Sequence, residues 1–186
     1  MPNSYFSQPA IFLIEVLFGL YITIVALRII MQWAQWEYHH PLVQIIIKAT
    51  QVPVKFLRQY IPAIGKWDSA TFVLLLVLTA LKLSLLLLLQ QLPIGLSLIQ
   101  LVLADIFSLF ITLFSAAIII QVILSWVQPH TQNAISPLIS RMTNPLLRPI
   151  RRLLPPMSGL DLSPLIALIG LQVLSMLILP ILTMAI

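Results

Sequence analysis

Three ionisable residues sit inside otherwise apolar runs of this chain: Glu15, Lys82 and Asp105. A Lys or Asp at the centre of a bilayer costs about 2.5–3.5 kcal/mol on insertion scales, so such groups turn to a bundle interior and find partners. A lysine between two carboxylates can hold or pass a small ion. The same trio can equally be a structural ion pair that locks parts of the protein together. A second pattern occurs twice: Arg58 precedes Asp68, and Arg151 precedes Asp161 at the same spacing. Each Asp stands just before an apolar run, the place of a helix N-cap, and Pro164 suits the first turn that follows. A carboxylate has acceptor capacity for both a cap and a guanidinium, so the Arg can also pin the preceding segment to the run. Other chemistry is missing. The chain has no cysteine, and His39, His40 and His130 have no carboxylate or thiol at ligand spacing. No Ser/His/Asp set, glycine-rich phosphate loop or HExxH appears. This reading gives no enzyme, no cofactor and no metal.

The elements that must position these residues are long and apolar. The 186 residues are 60% hydrophobic and 8% charged, with a mean hydropathy of +1.07, whereas soluble domains carry about 25% charged residues. Four stretches, at about 9–32, 69–92, 98–125 and 162–185, reach the roughly 20 residues a transmembrane helix needs. The first has no basic segment before it and is too long for a signal-peptide core, so it reads as a span. No G-x-x-x-G crossing motif occurs among the five glycines.

The chain also matches itself at an offset of 93 residues. Trp33 falls on Trp126, Gln35 on Gln128, Lys48 on Arg141, Thr50 on Thr143, Lys55 on Arg148, Arg58 on Arg151, Pro62 on Pro155 and Asp68 on Asp161. Leucines would coincide by composition alone in so apolar a chain, but scarce Trp, Pro and Asp would not. The period is too long for a solenoid unit. The expected domains are therefore residues 1–93 and 94–186, two copies of a two-span module. With two spans each, the copies run parallel rather than inverted. The trio breaks this symmetry: Glu15, Lys82 and Asp105 match Ser108, Ser175 and Phe12.

Eight of the ten basic residues lie in the connectors within the repeats: Lys48, Lys55, Arg58 and Lys66, then Arg141, Arg148, Arg151 and Arg152. The positive-inside rule puts both connectors in the cytoplasm, with the termini and the middle linker outside. Trp33, Trp36, Trp67 and Trp126 stand at the connector ends of spans, where an aromatic belt belongs. Arg28 is expected to snorkel to the same headgroups. The net charge of +5 thus reads as a one-sided attraction to anionic phospholipid, not as a nucleic-acid signal. In the first connector Gln44, Lys48, Gln51, Lys55 and Arg58 form a polar stripe at helical spacing, and Arg141, Asn144, Arg148, Arg151 and Arg152 repeat it. An amphipathic helix in the headgroup plane follows. Pro53, Pro145 and Pro149 predict a break into two short helices or a shallow re-entrant hairpin.

The run Ser125, Trp126, Pro129, then Thr143–Asn144–Pro145, Arg148–Pro149, Arg151–Arg152, and Gly159, Asp161, Ser163–Pro164 resembles the YGGT domain. The likeness spans essentially the whole chain and points to the two-domain bacterial members. The first copy keeps Trp33, Pro53, Arg58, Pro62 and Asp68, with Ala70–Thr71 where the second has Ser163–Pro164. The resemblance implies a bacterial inner-membrane protein with no recognised enzymatic activity and a link to osmotic tolerance; it makes the outside face periplasmic. Single-domain relatives are tied to cell division, nucleoid distribution and cytochrome assembly. The expected fold is all-α, with four transmembrane helices as two parallel two-span repeats, each with an amphipathic interfacial connector. The expected function is a non-catalytic scaffold or assembly factor. It would hold anionic phospholipid on the basic connectors and dock a membrane-protein partner or a second copy, serving osmotic-stress tolerance or envelope homeostasis. The alternative is a small oligomeric channel or transporter for ions or osmolytes, with Glu15, Lys82 and Asp105 near the path.

Overall fold

The computed structural model describes residues 3–62, 68–93, 95, 97–127, 135–153 and 161–183, with side chains from Gln8 onward. Lys66, Trp67, Gln128, Pro129, His130, Pro155 and Gly159 lie outside the described residues.

Every regular element described is a helix. Six run in order: α1 (Asn3–Trp33), α2 (Pro41–Arg58), α3 (Ser69–Leu89), α4 (Ser97–Val127), α5 (Ser136–Leu153) and α6 (Ser163–Thr183). Lengths of 31, 18 and 21 residues in the first half recur as 31, 18 and 21 in the second. Four helices are long and apolar enough to cross a membrane, at Gln8–Trp33, Ser69–Leu89, Ser97–Val127 and Ser163–Thr183. The protein is a multi-pass membrane protein by this measure.

Helix ends follow local chemistry. After α1, Gln35 takes a left-handed backbone (φ 50°), and the Trp36 N–H reaches back to the Met31 carbonyl at 3.0 Å. The same closure ends α3, where Gln91 has φ 58° and Leu92 N–H meets Leu87 O at 2.9 Å. This six-to-one bond satisfies carbonyls that a helix end otherwise leaves without partners. His40 caps α2, its Nδ1 accepting from the Leu42 N–H at 3.3 Å, and Pro41 fills the first turn.

Among the described residues each connector carries one continuous helix through its prolines, not the two short pieces or hairpin they predict. Pro53 has no N–H, so the Ala49 carbonyl four residues back loses its helical donor. The Tyr21 hydroxyl donates to that carbonyl at 3.3 Å. A side chain of the neighbouring helix replaces the bond and carries α2 past its proline.

Within the first half α1 packs on α3, and α2 lies against both; α4, α5 and α6 repeat that arrangement, while α3 meets α4 across the halves. One buried cluster is shared: Ile30, Met31, Trp36 and Val43 pack with Ala117, Leu138, Ile139 and Met142. Trp36 is therefore a core residue rather than part of an interfacial belt. Contacts fix the relative directions. Asp68, at the start of α3, meets Gln32 and Arg58, and Arg141 of α5 reaches the turn after α1. Both connectors thus lie at one end of the bundle, and the α3–α4 link lies at the other.

Candidate functional site

Asp68 is the centre of a buried charge cluster. Its carboxylate receives the Arg58 guanidinium through both oxygens, Nε to Oδ1 at 3.2 Å and Nη2 to Oδ2 at 2.6 Å. The Thr71 hydroxyl donates to Oδ2 at 2.7 Å, and the Asp68 N–H points to Gln32 Oε1 at 3.4 Å. A second guanidinium stands over it, with Arg28 Nη2 3.8 Å from Oδ2. Arg28 is 5% exposed and turns inward instead of snorkelling. Its Nη1 donates to the Thr50 hydroxyl at 2.7 Å, and Thr50 in turn donates to the Ile46 carbonyl at 2.7 Å. A carboxylate so placed is worth more to Arg28 than a distant headgroup. The side chain of Asp68 makes no backbone cap to α3; its oxygens are committed to side chains.

The second half builds the corresponding cluster differently. Arg151 Nε and Nη2 both approach Asp161 Oδ2 at 2.9 Å. Here the carboxylate does cap its helix, Oδ1 accepting the Ser163 N–H at 2.9 Å. The Thr143 hydroxyl hydrogen-bonds the Gln121 amide and lies 2.9 Å from the Ile139 carbonyl. Gln121 falls on Arg28 at the 93-residue offset, and Thr143 on Thr50. The Asp161 side chain is 36% exposed where that of Asp68 is 6%. Burial pushes both carboxyls up, but hydrogen bonds and the facing guanidinium outweigh it and hold both below the ordinary value of 3.8. The donors are Arg58 and Thr71 at Asp68, and Ser163 and Arg151 at Asp161. The Arg58 guanidinium is shifted up by its bond to Asp68.

The intramembrane trio separates. Lys82 Nζ meets Asp105 Oδ2 at 2.6 Å, joining α3 to α4. Glu15 is exposed on α1 and makes no ion pair among the described residues. Thr79, one turn before Lys82, is fully buried and its hydroxyl has no hydrogen-bond partner among the described residues.

On the connectors, Lys48, Lys55, Arg58, Arg141, Arg148 and Arg152 are exposed and Arg151 is half-buried. Lys48, Gln51, Val52, Lys55, Phe56 and Gln59 line a shallow groove of about 440 Å³ on α2. Arg141 crosses between the halves, Nη1 donating to the Gln35 carbonyl at 2.8 Å and Nη2 to Glu37 at 2.6 Å. Among the motif residues, Trp33 stacks edge-on against Phe114 with ring centroids 5.7 Å apart, while Trp126 is 74% exposed. Pro62 is exposed, its carbonyl accepting from the Ser69 hydroxyl, and Ser163 and Pro164 are buried at the start of α6. No cluster of metal-ligating side chains occurs among the described residues.

By sequence Arg28 reads as a snorkelling residue and Thr50 and Thr143 as an offset-matched pair, and only Gln121 has no place in the motif reading. The offset did align them, and the pair Arg28/Gln121 beside Thr50/Thr143 was the available signal.

The chain matches the CCB3/YggT family over residues 7–89 and again over 100–182, two segments whose ends are both shifted by 93. The chain belongs to the CCB3/YggT family. An uncharacterized protein of Pseudomonas aeruginosa is 39% identical over 175 residues, covering 92% of this chain and 89% of that one. A Vibrio alginolyticus protein is 38% identical over 87% of this chain and 88% of its own length. The Escherichia coli K12 protein named YggT is 36% identical over 89% of this chain and 86% of its own. No solved structure matches the chain. The first matched segment of the CCB3/YggT family runs over α1–α3 and the second over α4–α6.

Proposed function

We propose that this protein is a non-catalytic inner-membrane scaffold, built from two parallel copies of one two-span module and serving osmotic-stress tolerance or envelope homeostasis. Its connectors would lie in the cytoplasmic headgroup layer, basic edge to anionic phospholipid, and its spans would dock a membrane-protein partner or a second copy. The observation that carries this is the outer side of α2, where Lys48 and Lys55 alternate with exposed Val52 and Phe56 around one groove. Cationic heads beside apolar side chains are what a helix needs to sit at the boundary of headgroup and acyl chain. Both connectors lie at the same end of the bundle, so the positive-inside rule assigns that end to the cytoplasm and the termini to the periplasm.

A channel or transporter is the second reading, favoured by the buried, unpartnered Thr79 hydroxyl one turn from the Lys82–Asp105 pair. Polar groups at that depth often mark an ion path. One pair of measurements separates the readings. In cells lacking the protein, Lys82→Ala should restore growth after osmotic upshift, and the combined change of Arg148, Arg151 and Arg152 to Ala should not. In liposomes, potassium and small-osmolyte flux should stay at the level of empty vesicles. Wild-type flux that disappears in Lys82→Ala would overturn the scaffold.

A further inference from the structure

The clusters at Asp68 and Asp161 occupy offset-related places, and a cavity opens beside the second. About 350 Å³ opens among Gln121, Ser125, Trp126, Arg151, Asp161 and Pro164, within the range of small-molecule sites, about 300–1,000 Å³. The cause is visible in the side chains. Gln121 stands where the first half has Arg28, Ser125 where it has Gln32, and Pro164 where it has Thr71. Two of these changes shorten the side chain, and the third removes a hydroxyl that donates to the carboxylate in the first half.

Charge changes with volume. Asp68 faces two guanidinia, from Arg58 and Arg28. Among the described residues Asp161 pairs with Arg151 alone, and both contacts from that residue fall on Oδ2. Its Oδ1 accepts the Ser163 N–H, and the Ser163 hydroxyl stands beside the same carboxylate. The cavity wall therefore has a carboxylate with one guanidinium partner in place of two, the Gln121 amide, the Ser125 hydroxyl and an indole, in the place where the first half holds its own cation. An indole face attracts a cation, the more so when partly desolvated. Arg151 engages Asp161 through Nε and Nη2 only, and a guanidinium has five N–H donors for oxyanions.

We propose that this pocket binds the phosphoethanolamine group, its primary ammonium on Asp161 and Trp126 and its phosphate on Arg151. The ammonium takes the role that the Arg28 guanidinium plays in the first half. The pocket lies at the connector end of α4 and α6, at headgroup height for a chain that spans the bilayer, so phosphatidylethanolamine is one source and soluble phosphoethanolamine the other. The site is distinct from the α2 groove, which on the proposed function selects for net negative charge; here selection is for a zwitterion with N–H donors.

The test is native mass spectrometry of the full-length protein from detergent, titrated with phosphatidylethanolamine, phosphatidylglycerol or phosphatidylcholine of matched chains, with soluble phosphoethanolamine as a fourth arm. With Lys48→Ala and Lys55→Ala in place to remove anionic lipid from the α2 groove, the protein should bind phosphatidylethanolamine at least tenfold more tightly than the other two lipids. Binding of soluble phosphoethanolamine would make the headgroup alone sufficient; binding of the lipid only would assign the membrane as the source. Gln121→Arg, which rebuilds the first half's arrangement, should lower this binding tenfold or more. If Gln121→Arg does not fold, Trp126→Leu, at an exposed position, serves the same purpose and should weaken binding several-fold. Equal binding of phosphatidylglycerol or phosphatidylcholine, or unchanged binding in a folded variant, overturns the proposal. Loss of anionic lipid at the connectors would be a separate result, read in the phosphatidylglycerol arm with Lys48→Ala and Lys55→Ala.

Discussion

Asp68 and Asp161 hold offset-related positions, follow a matching arginine and start a matching helix, yet one is enclosed and the other is open. The first carboxylate gathers Arg58, Thr71 and Arg28 around itself. The second keeps Arg151 and uses its remaining oxygen to cap α6. Three neighbours differ between the two arrangements, Arg28 against Gln121, Gln32 against Ser125 and Thr71 against Pro164. The lesson is that the Arg–Asp pair alone does not decide what the cluster does. The residue from the preceding span does, Arg28 in one half and Gln121 in the other.

The most damaging way to break the comparison is Asp68→Asn. It leaves Arg28 buried without a counter-charge, and removing one partner of a buried pair costs about 3–5 kcal/mol. The midpoint of thermal or detergent-induced unfolding should fall sharply, and the same substitution at Asp161 should barely move it. Lys82→Met comes next, at about 2.5–3.5 kcal/mol or less, because it leaves Asp105 within the span. Its signature should be loosening between α3 and α4, read by crosslinking of introduced cysteine pairs across that interface.

Arg28→Gln converts the first cluster toward the second. Thr50 keeps a polar neighbour and Asp68 keeps Arg58, so the expected loss is about 1–3 kcal/mol, that of a buried hydrogen bond left incomplete. In a double-mutant cycle with Asp68→Asn the two effects should be strongly non-additive. Asp161→Asn is the smallest, about 0–1 kcal/mol, since an exposed pair is screened by solvent.

Acid sharpens the same contrast. Both carboxyls are held below their ordinary 3.8 in the folded protein. Their contribution is therefore present in full above the unfolded value and lost as pH falls below about 4 and through the folded values. Unfolding midpoints should be flat with respect to these groups from pH 7 to 5 and drop below 4. Asp68→Asn should remove most of that drop, and Asp161→Asn little of it.

Much of this was legible before any coordinates. The four spans differ from the hydropathy reading by only a few residues at their ends, because twenty apolar residues in a row leave few alternatives. The places of Arg58, Asp68, Arg151 and Asp161 were legible too, from scarce residue types at a constant offset. Which way a side chain faces was not. Hydropathy gives Glu15 a depth but no azimuth, and nothing in a uniformly apolar helix distinguishes its lipid side from its packed side. Arg28 read as a snorkelling residue because its partners, Thr50 and Asp68, are brought near only by the folding of two further helices. The unbroken α2 escaped for a related reason. A proline removes a bond locally, and the Tyr21 hydroxyl that replaces it comes from a different element.

The Arg141 bridge to Gln35 and Glu37 has a consequence for biosynthesis. The two ends of that contact are 106 and 104 residues apart in the chain, whereas Lys82 and Asp105 are only 23 apart. Domains form from the N-terminus as the chain emerges from the ribosome. The α3–α4 ion pair can close as soon as the third span enters the membrane. The turn after α1 waits, without its lateral tie, until the second connector has been made. A nascent chain halted between residues about 110 and 140 therefore holds α3 to α4 while its connector end stays unlatched, and Arg141 is the residue that completes the latch.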